Sequence, residues 1–287
     1  MGVISIGRDK LKYKLLVSDL DGTLLTEDMK ISPENAEAIK KITELGIEFS
    51  VSSGRTLHEI PLDVRENPYI RYIAYSNGTA LYDKQAGCDV AANRIKAKAI
   101  NEVYDVLRDY DTARSIHVNG RAYVTDATVT DECCRDYQIN DYYKEILRQG
   151  ERIESDEALA RSSDGVEAVV IFFRDDGEIE PCRKRLEEIP GITVTSSIAH
   201  NLELCSDKAG KGEALKMLRD HLGLKGEELI AVGDNMNDVS MFSVAGLSFC
   251  AGNGSEGAKA LATRVICRSD EHTAKCVYEL LTGDIFI

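Results

Sequence analysis

The chain lacks most of what would place it in a membrane, on nucleic acid or outside the cell. No apolar run is long enough to span a bilayer, and no charged-then-apolar signal segment opens it. Met1-Gly2 hints at myristoylation, but Ile6 stands where Ser or Thr is needed. Basic charge is in deficit: 35 Lys and Arg face 49 Asp and Glu, a formal net charge of −14. That field repels nucleic acid and anionic membrane surfaces. The eight cysteines include no C-x-x-C pair and read as small buried residues in a reducing compartment, with Cys133-Cys134 as the one pair open to a redox role. The five histidines have no metal-ligand spacing, and there is no internal repeat, low-complexity tract or Pro/Ser-rich linker. The expectation is a soluble, cytoplasmic, globular protein.

What is present is a set of strand tips. Leu15-Leu16-Val17 reads as a buried strand and runs into Asp19-Leu20-Asp21-Gly22-Thr23. Side chains two apart in an extended segment point to one side, and Gly22 permits a tight turn and a close ligand. Paired acids there suit a carboxylate nucleophile with an acid/base partner, and equally a hard-cation site. Ser52-Ser53-Gly54-Arg55 follows a second apolar strand, Ile47–Val51, and Ser76-Asn77-Gly78 follows a third, Tyr72–Tyr75. Gly233-Asp234-Asn235-Met236-Asn237-Asp238 follows a fourth, Leu229–Val232, and Lys211-Gly212 opens an amphipathic helix. In open α/β sheets ligands bind outside the carboxyl ends of the strands, so these segments point to one site.

At 287 residues the chain suggests two domains. Residues 1–82 alternate strand and helix, with Ser32-Pro33-Glu34 as a capped helix start and Gly46 as its end. Alternation resumes from 208 to 287, so 1–82 and 208–287 are expected to share a parallel sheet. Between them, 83–207 mixes helices with an Asn119-Gly120 hairpin and further strands at Val166–Phe173 and Ile192–Thr195, an inserted α+β module.

These motifs, in this order, resemble the haloacid dehalogenase (HAD) superfamily, and more narrowly the Cof-type sugar-phosphate phosphatases with a C2 cap. The resemblance covers nearly the whole chain. It implies a Rossmann-like α/β core carrying an inserted α+β cap, of the larger C2B kind from its αββ-like order. It implies Asp19 as nucleophile, Asp21 as general acid/base and Lys211 as a fixed cation beside them. Ser53, with its hydroxyl and its N–H at a helix start, together with Gly54, Arg55, Asn77 and Gly78, would face the phosphate. Arg55 has a structural ion pair or a contact with the cap as its alternatives. Mg²⁺ would be held by the Asp19 carboxylate, the Asp21 carbonyl and Asp234, with Asn237 and Asp238 behind them; Asp238 would orient the water shell or hold Lys211. The implied activity is Mg²⁺-dependent hydrolysis of a small phosphorylated metabolite, with the cap reading the substrate. A phosphomannomutase-like mutase is the alternative, and a non-enzymatic scaffold is disfavoured because Asp19, Asp21, Lys211 and Asp234 are all present. Two stretches depart from the pattern. Phe249-Cys250-Ala251-Gly252-Asn253-Gly254 replaces the more usual Ala-Met-x-Asn-Ala, and Ser269-Asp270-Glu271-His272-Thr273-Ala274 lacks the frequent Asp-Gly-Val.

Overall fold

A computed structural model describes residues 12–196 and 198–283; the Met1-Gly2 and Ile6 reading lies outside the described residues. The chain divides into two compact units. One takes the chain through Arg55, Ile60–Ala91 and Gly210 onward, and the other takes Thr56–Glu59 and Ala92–Ala209. In chain order the strands are β1 (Leu15–Asp19), β2 (Glu48–Ser52), β3 (Ile70–Tyr75), β4 (Ala80–Asp83), β5 (Cys88–Ala92), β6 (Thr112–Val118), β7 (Arg121–Thr125), β8 (Glu151–Ile153), β9 (Val166–Phe173), β10 (Ile192–Thr195), β11 (Asn201–Ser206), β12 (Leu229–Gly233), β13 (Leu247–Cys250) and β14 (Arg264–Val265).

The first unit carries the sheet β14-β13-β12-β1-β2-β3-β4-β5. From β14 to β3 every pairing is parallel, and β4 runs antiparallel to β3. Residues 83–91, read from sequence as the start of the inserted module, therefore run with this sheet. Every residue of β1 and β12 is buried, as a parallel sheet covered on both faces requires. One face packs Leu15, Val17, Tyr72 and Leu81 against Leu215 and Leu218 of the helix Lys211–His221. The helix Pro33–Glu44 starts where its sequence says it should: the Ser32 hydroxyl accepts from the Asn35 N–H at 3.2 Å, with Pro33 in the first turn.

The second unit holds the sheet β10-β11-β9-β6-β7-β8, antiparallel apart from the β7–β8 pair. Asn119 and Gly120 both adopt positive φ, 52° and 73°, the turn the Asn-Gly pair encodes between β6 and β7. Its main core joins Ile100, Val103 and Tyr104 to Val169, Ile171, Phe173, Leu186 and Leu204. Three helices not anticipated from sequence lie here, Asp131–Asp136, Asp141–Gln149 and Asp156–Ser162, as does β11. Among the described residues no helix is long and apolar enough to cross a membrane.

Candidate active site

Because β12, β1, β2 and β3 are parallel neighbours, their carboxyl ends lie along one edge of the sheet. The register keeps those ends level: Ser18 faces Val232, Asp19 faces Ser52, and Ser52 faces Ala74. β1 delivers Asp19 to the edge with 4% of its surface exposed. Lys211 reaches it from the first turn of its helix, its ammonium donating to Asp19 Oδ1 at 2.5 Å and to Asp238 Oδ1 at 2.6 Å. Lys211 is buried too, so its charge is spent inside the protein. Gly212 lets the helix start come this close, because a Cβ there would lie 2.5 Å from the Ser240 carbonyl oxygen. Asp238 has no exposed surface, and its second oxygen accepts the N–H groups of Asp234 and Asn235 at 2.9 and 3.0 Å. It works as an internal anchor for Lys211 and for the loop after β12.

Asp234 stands half-buried beside the turn after β1. Its Oδ1 accepts from the Thr23 hydroxyl at 3.3 Å. Gly22, at φ +75°, packs so close that a Cβ would sit 2.6 Å from Asp234 Oδ2, so glycine is required on two counts. Asp21 lies in the same turn, partly exposed, and meets Arg55 through two N–H···O bonds, Nε to Oδ2 at 2.9 Å and Nη2 to Oδ1 at 2.8 Å. In this structure Arg55 thus takes the ion pair that the sequence held open as an alternative.

Ser53 departs from expectation. Its N–H donates to the Ala74 carbonyl at 2.9 Å, because the β2–β3 ladder runs one residue past β2. The next helix does not begin until Leu62. Only the hydroxyl is left of the anion site foreseen there, and its oxygen accepts from the Arg55 N–H at 3.2 Å. Ser76, Asn77 and Gly78 form three successive left-handed residues, with φ of 49°, 52° and 79°. That turn brings Asn77 Oδ1 to the edge of hydrogen-bond range of Asn237 Nδ2, 3.5 Å, and next to Gly54. Gly78 backs onto Gly210, where a Cβ would meet the carbonyl oxygen at 2.4 Å. The residues assigned to the strand-tip site from sequence are therefore brought together within the first unit.

Electrostatically the cluster is short of positive charge. Burial raises Asp19 to about 8, Lys211 opposes that rise, and the Asp238 and Asp234 charges add to it. Burial and Asp238 likewise raise Asp234. Burial pulls Lys211 down, but Asp19 and Asp238 together outweigh it and the net shift is upward. Three carboxylates share one ammonium, and oxygens of Asp19, Asp234 and Asp238 fall within 4.8 Å of one another. An all-oxygen donor set with excess negative charge fits a hard divalent cation. With both Asp238 oxygens engaged, Asp19 and Asp234 are the carboxylates left to hold it.

Three residues with no role assigned from sequence also shape the site. Asn253 Nδ2, Thr273 Oγ1 and Asn35 Nδ2 donate to the consecutive carbonyls of Gly22, Thr23 and Leu24, at 2.7, 2.9 and 3.0 Å. No spacing rule could have found them: 231 and 250 positions separate the first two from their partners.

The family model described as haloacid dehalogenase-like hydrolase matches residues 16–275. The chain belongs to the haloacid dehalogenase-like hydrolases. Among relatives in this family, the phosphatase YwpJ of Bacillus subtilis (strain 168) is 29% identical, over 90% of this chain and 96% of its own. The 5-amino-6-(5-phospho-D-ribitylamino)uracil phosphatase YwtE of the same organism is 27% identical, over 94% and 99%. A solved haloacid dehalogenase-like hydrolase from B. subtilis superposes with a TM-score of 0.73 at 28% identity, covering 95% of this chain and 100% of that one.

Proposed function

We propose that this hydrolase is a phosphatase of small phosphorylated metabolites, sugar phosphates foremost, acting through an aspartyl-phosphate on Asp19 with Mg²⁺ as cofactor. The observation that carries the reading is Lys211, buried and shared between Asp19 and Asp238. A buried ammonium against a strand-tip carboxylate holds that carboxylate in place and offsets charge where a dianion must approach. The activity of YwtE, a 5-amino-6-(5-phospho-D-ribitylamino)uracil phosphatase, supports the substrate class, and YwpJ, a phosphatase, supports the reaction.

Phosphate monoesters resist water, and a carboxylate nucleophile divides the reaction into two easier steps. Asp19 attacks phosphorus as the bond to the ester oxygen breaks, and the departing oxygen takes a proton from Asp21. Water then attacks the aspartyl-phosphate and gives a proton back to Asp21, restoring Asp19 and releasing inorganic phosphate. Arg55 fixes the orientation of Asp21 between turnovers through its two parallel bonds. On this reading the Ser53 hydroxyl and Asn77 touch the transferring group, with Gly54 packed against Asn77 and Gly78 against Gly210 to hold that turn. Mg²⁺, held by the Asp19 and Asp234 carboxylates and the Asp21 carbonyl, would screen the nucleophile from the phosphate it must meet.

The test is a panel of phosphorylated sugars, nucleotides and cofactors, read by release of inorganic phosphate and ranked by kcat/KM. Metal-dependent release from sugar phosphates, lost in Asp19→Asn, supports the proposal. Transfer of phosphate between positions of a sugar without release would mark a mutase instead. Turnover surviving in Asp19→Asn would remove the covalent step.

A further inference from the structure

We propose that Asn253 is a positioning residue for the acid/base Asp21, acting through the carbonyl of Gly22. The proposal rests on the phosphatase reading above and adds to it the part that aims the proton.

The turn Leu20–Leu24 is helical in outline only. Asp21 (φ −75°, ψ 123°) and Gly22 (φ 75°, ψ −1°) leave helical geometry; Leu25 N–H still reaches the Leu20 carbonyl at 2.9 Å, but the later carbonyls of the turn take their donors from elsewhere. Donors come instead from distant side chains, one for each of Gly22, Thr23 and Leu24. Two of these are ordinary core ties: Asn35 and Thr273 are each 1% exposed. Asn35 also accepts from the first N–H groups of the helix Thr273–Thr282, at Ala274 and Lys275.

Asn253 is different in three ways. It grips the carbonyl of Gly22, the residue directly after Asp21, where a glycine at positive φ supplies no side chain to resist rotation. It is half-buried, so it is not needed to fill a core. And its own loop is fastened to the metal-side strand: Ala251 N–H donates to the Gly233 carbonyl at 2.9 Å, and Ser255 N–H to the Asp234 carbonyl at 2.8 Å. Gly254 packs so tightly on that loop that a Cβ would lie 2.6 Å from the Asp234 carbonyl oxygen. The Asn253 amide oxygen accepts from Ser269 N–H at 2.7 Å, which fixes the side-chain orientation so that the amino group faces Gly22. Asn253 thus joins the turn bearing Asp21 to the loop bearing Asp234, and joins both to the 269 loop. Its removal frees the Gly22 peptide, and Asp21 then depends on Arg55 alone for its direction.

The chemistry separates this role from a purely structural one. When phosphorus passes to Asp19, the electron pair of the breaking P–O bond stays on the ester oxygen. An alkoxide needs the Asp21 proton as it leaves, whereas p-nitrophenolate does not. General-acid help is worth about 10²–10⁴-fold where it is needed, so a misaimed Asp21 penalises alkyl esters selectively. The experiment compares kcat/KM, which reports the first step, for p-nitrophenyl phosphate and for the sugar phosphate that the wild type turns over fastest. In Asn253→Ala the sugar phosphate should lose about tenfold or more while the aryl ester changes by less than about threefold. Asn253→Ser, too short to reach Gly22, should behave the same, and circular dichroism and Tm report that each variant is folded. In an Asp21→Asn background, Asn253→Ala should cost the sugar phosphate nothing further, since the acid it aims is gone. Equal losses on both esters, no loss on either, or a full additive loss in the Asp21→Asn background would each overturn the role given to Asn253. A wild type that hydrolysed neither ester would sink the phosphatase reading and this proposal with it.

Discussion

Asp19 and Lys211 illustrate what a residue's burial implies for its replacement. Asp19→Asn keeps the shape but removes the proposed nucleophile; loss of a covalent nucleophile costs about 10⁵-fold or more in turnover, checked by single-turnover phosphate release at saturating metal. Lys211→Met should do a different kind of damage. It leaves Asp19 and Asp238 facing each other in the interior without their shared cation, and removing one partner of a buried pair costs about 3–5 kcal/mol. Urea unfolding would read it, with Asp21→Asn as the control, expected within about 1 kcal/mol because that pair is partly exposed. A Lys211→Met protein as stable as the wild type would mean that the buried carboxylates have taken up protons instead. Asp19, Lys211 and Asp234 were legible in the sequence because each stands at a recognisable strand end or helix start. Asn253 was not, since an amide in an irregular loop says nothing about a carbonyl at the far end of the chain. The Ser53 N–H was misread for a related reason: where a ladder stops is set by the partner strand, not by the residue itself.

At the level of elements, the close approaches between loops set what can change. Gly46 and Gly78 both have positive φ, 86° and 79°, yet only Gly78 has a neighbour in the way. Gly46→Ala should cost about 1–2 kcal/mol of left-handed strain and leave activity alone. Gly78→Ala adds a backbone clash with Gly210, the residue before Lys211, and should cost well over about 2 kcal/mol with loss of turnover. Equal Tm shifts for the two would show that the Gly78 turn relaxes freely. The central strands β1, β2, β3 and β12 of the first unit were readable because burial makes them largely apolar, and the Pro33–Glu44 helix because its cap is explicit. The three short helices between 131 and 162 escaped a reading by periodicity, since six to nine residues give barely two turns. Their signal was in the caps: Thr130, Asn140 and Ser155 each accept from the N–H three residues on. β14 is two exposed residues long and shows no alternation.

For the whole molecule, a net charge of −14 sharpens the need for a cation at the site. A ligand that binds only the folded state adds stability, about 2.7 kcal/mol at a hundredfold excess over Kd. Mg²⁺ should therefore raise Tm and restore activity removed by EDTA, Ca²⁺ should support turnover poorly, and Asp234→Ala should abolish the Mg²⁺-induced shift in a thermal melt. A Tm indifferent to Mg²⁺ in the wild type would argue against the site. The change of rhythm from βα alternation to hairpins marked an insertion in the sequence, but not that β4 and β5 extend the first sheet before it. That insertion has a consequence for how the chain comes to life. Asp19 meets Lys211 across 192 positions, and Thr23 meets Asp234 across 211. β1 has a partner on one side early, in β2, and on the other only once β12 exists. Domains fold as units during synthesis, and non-local parallel pairing is slow. On the ribosome the stretch from 92 to 209 is complete while Asp19 still waits for Lys211. The charge cluster at the sheet edge can close only once the last third of the chain has been made.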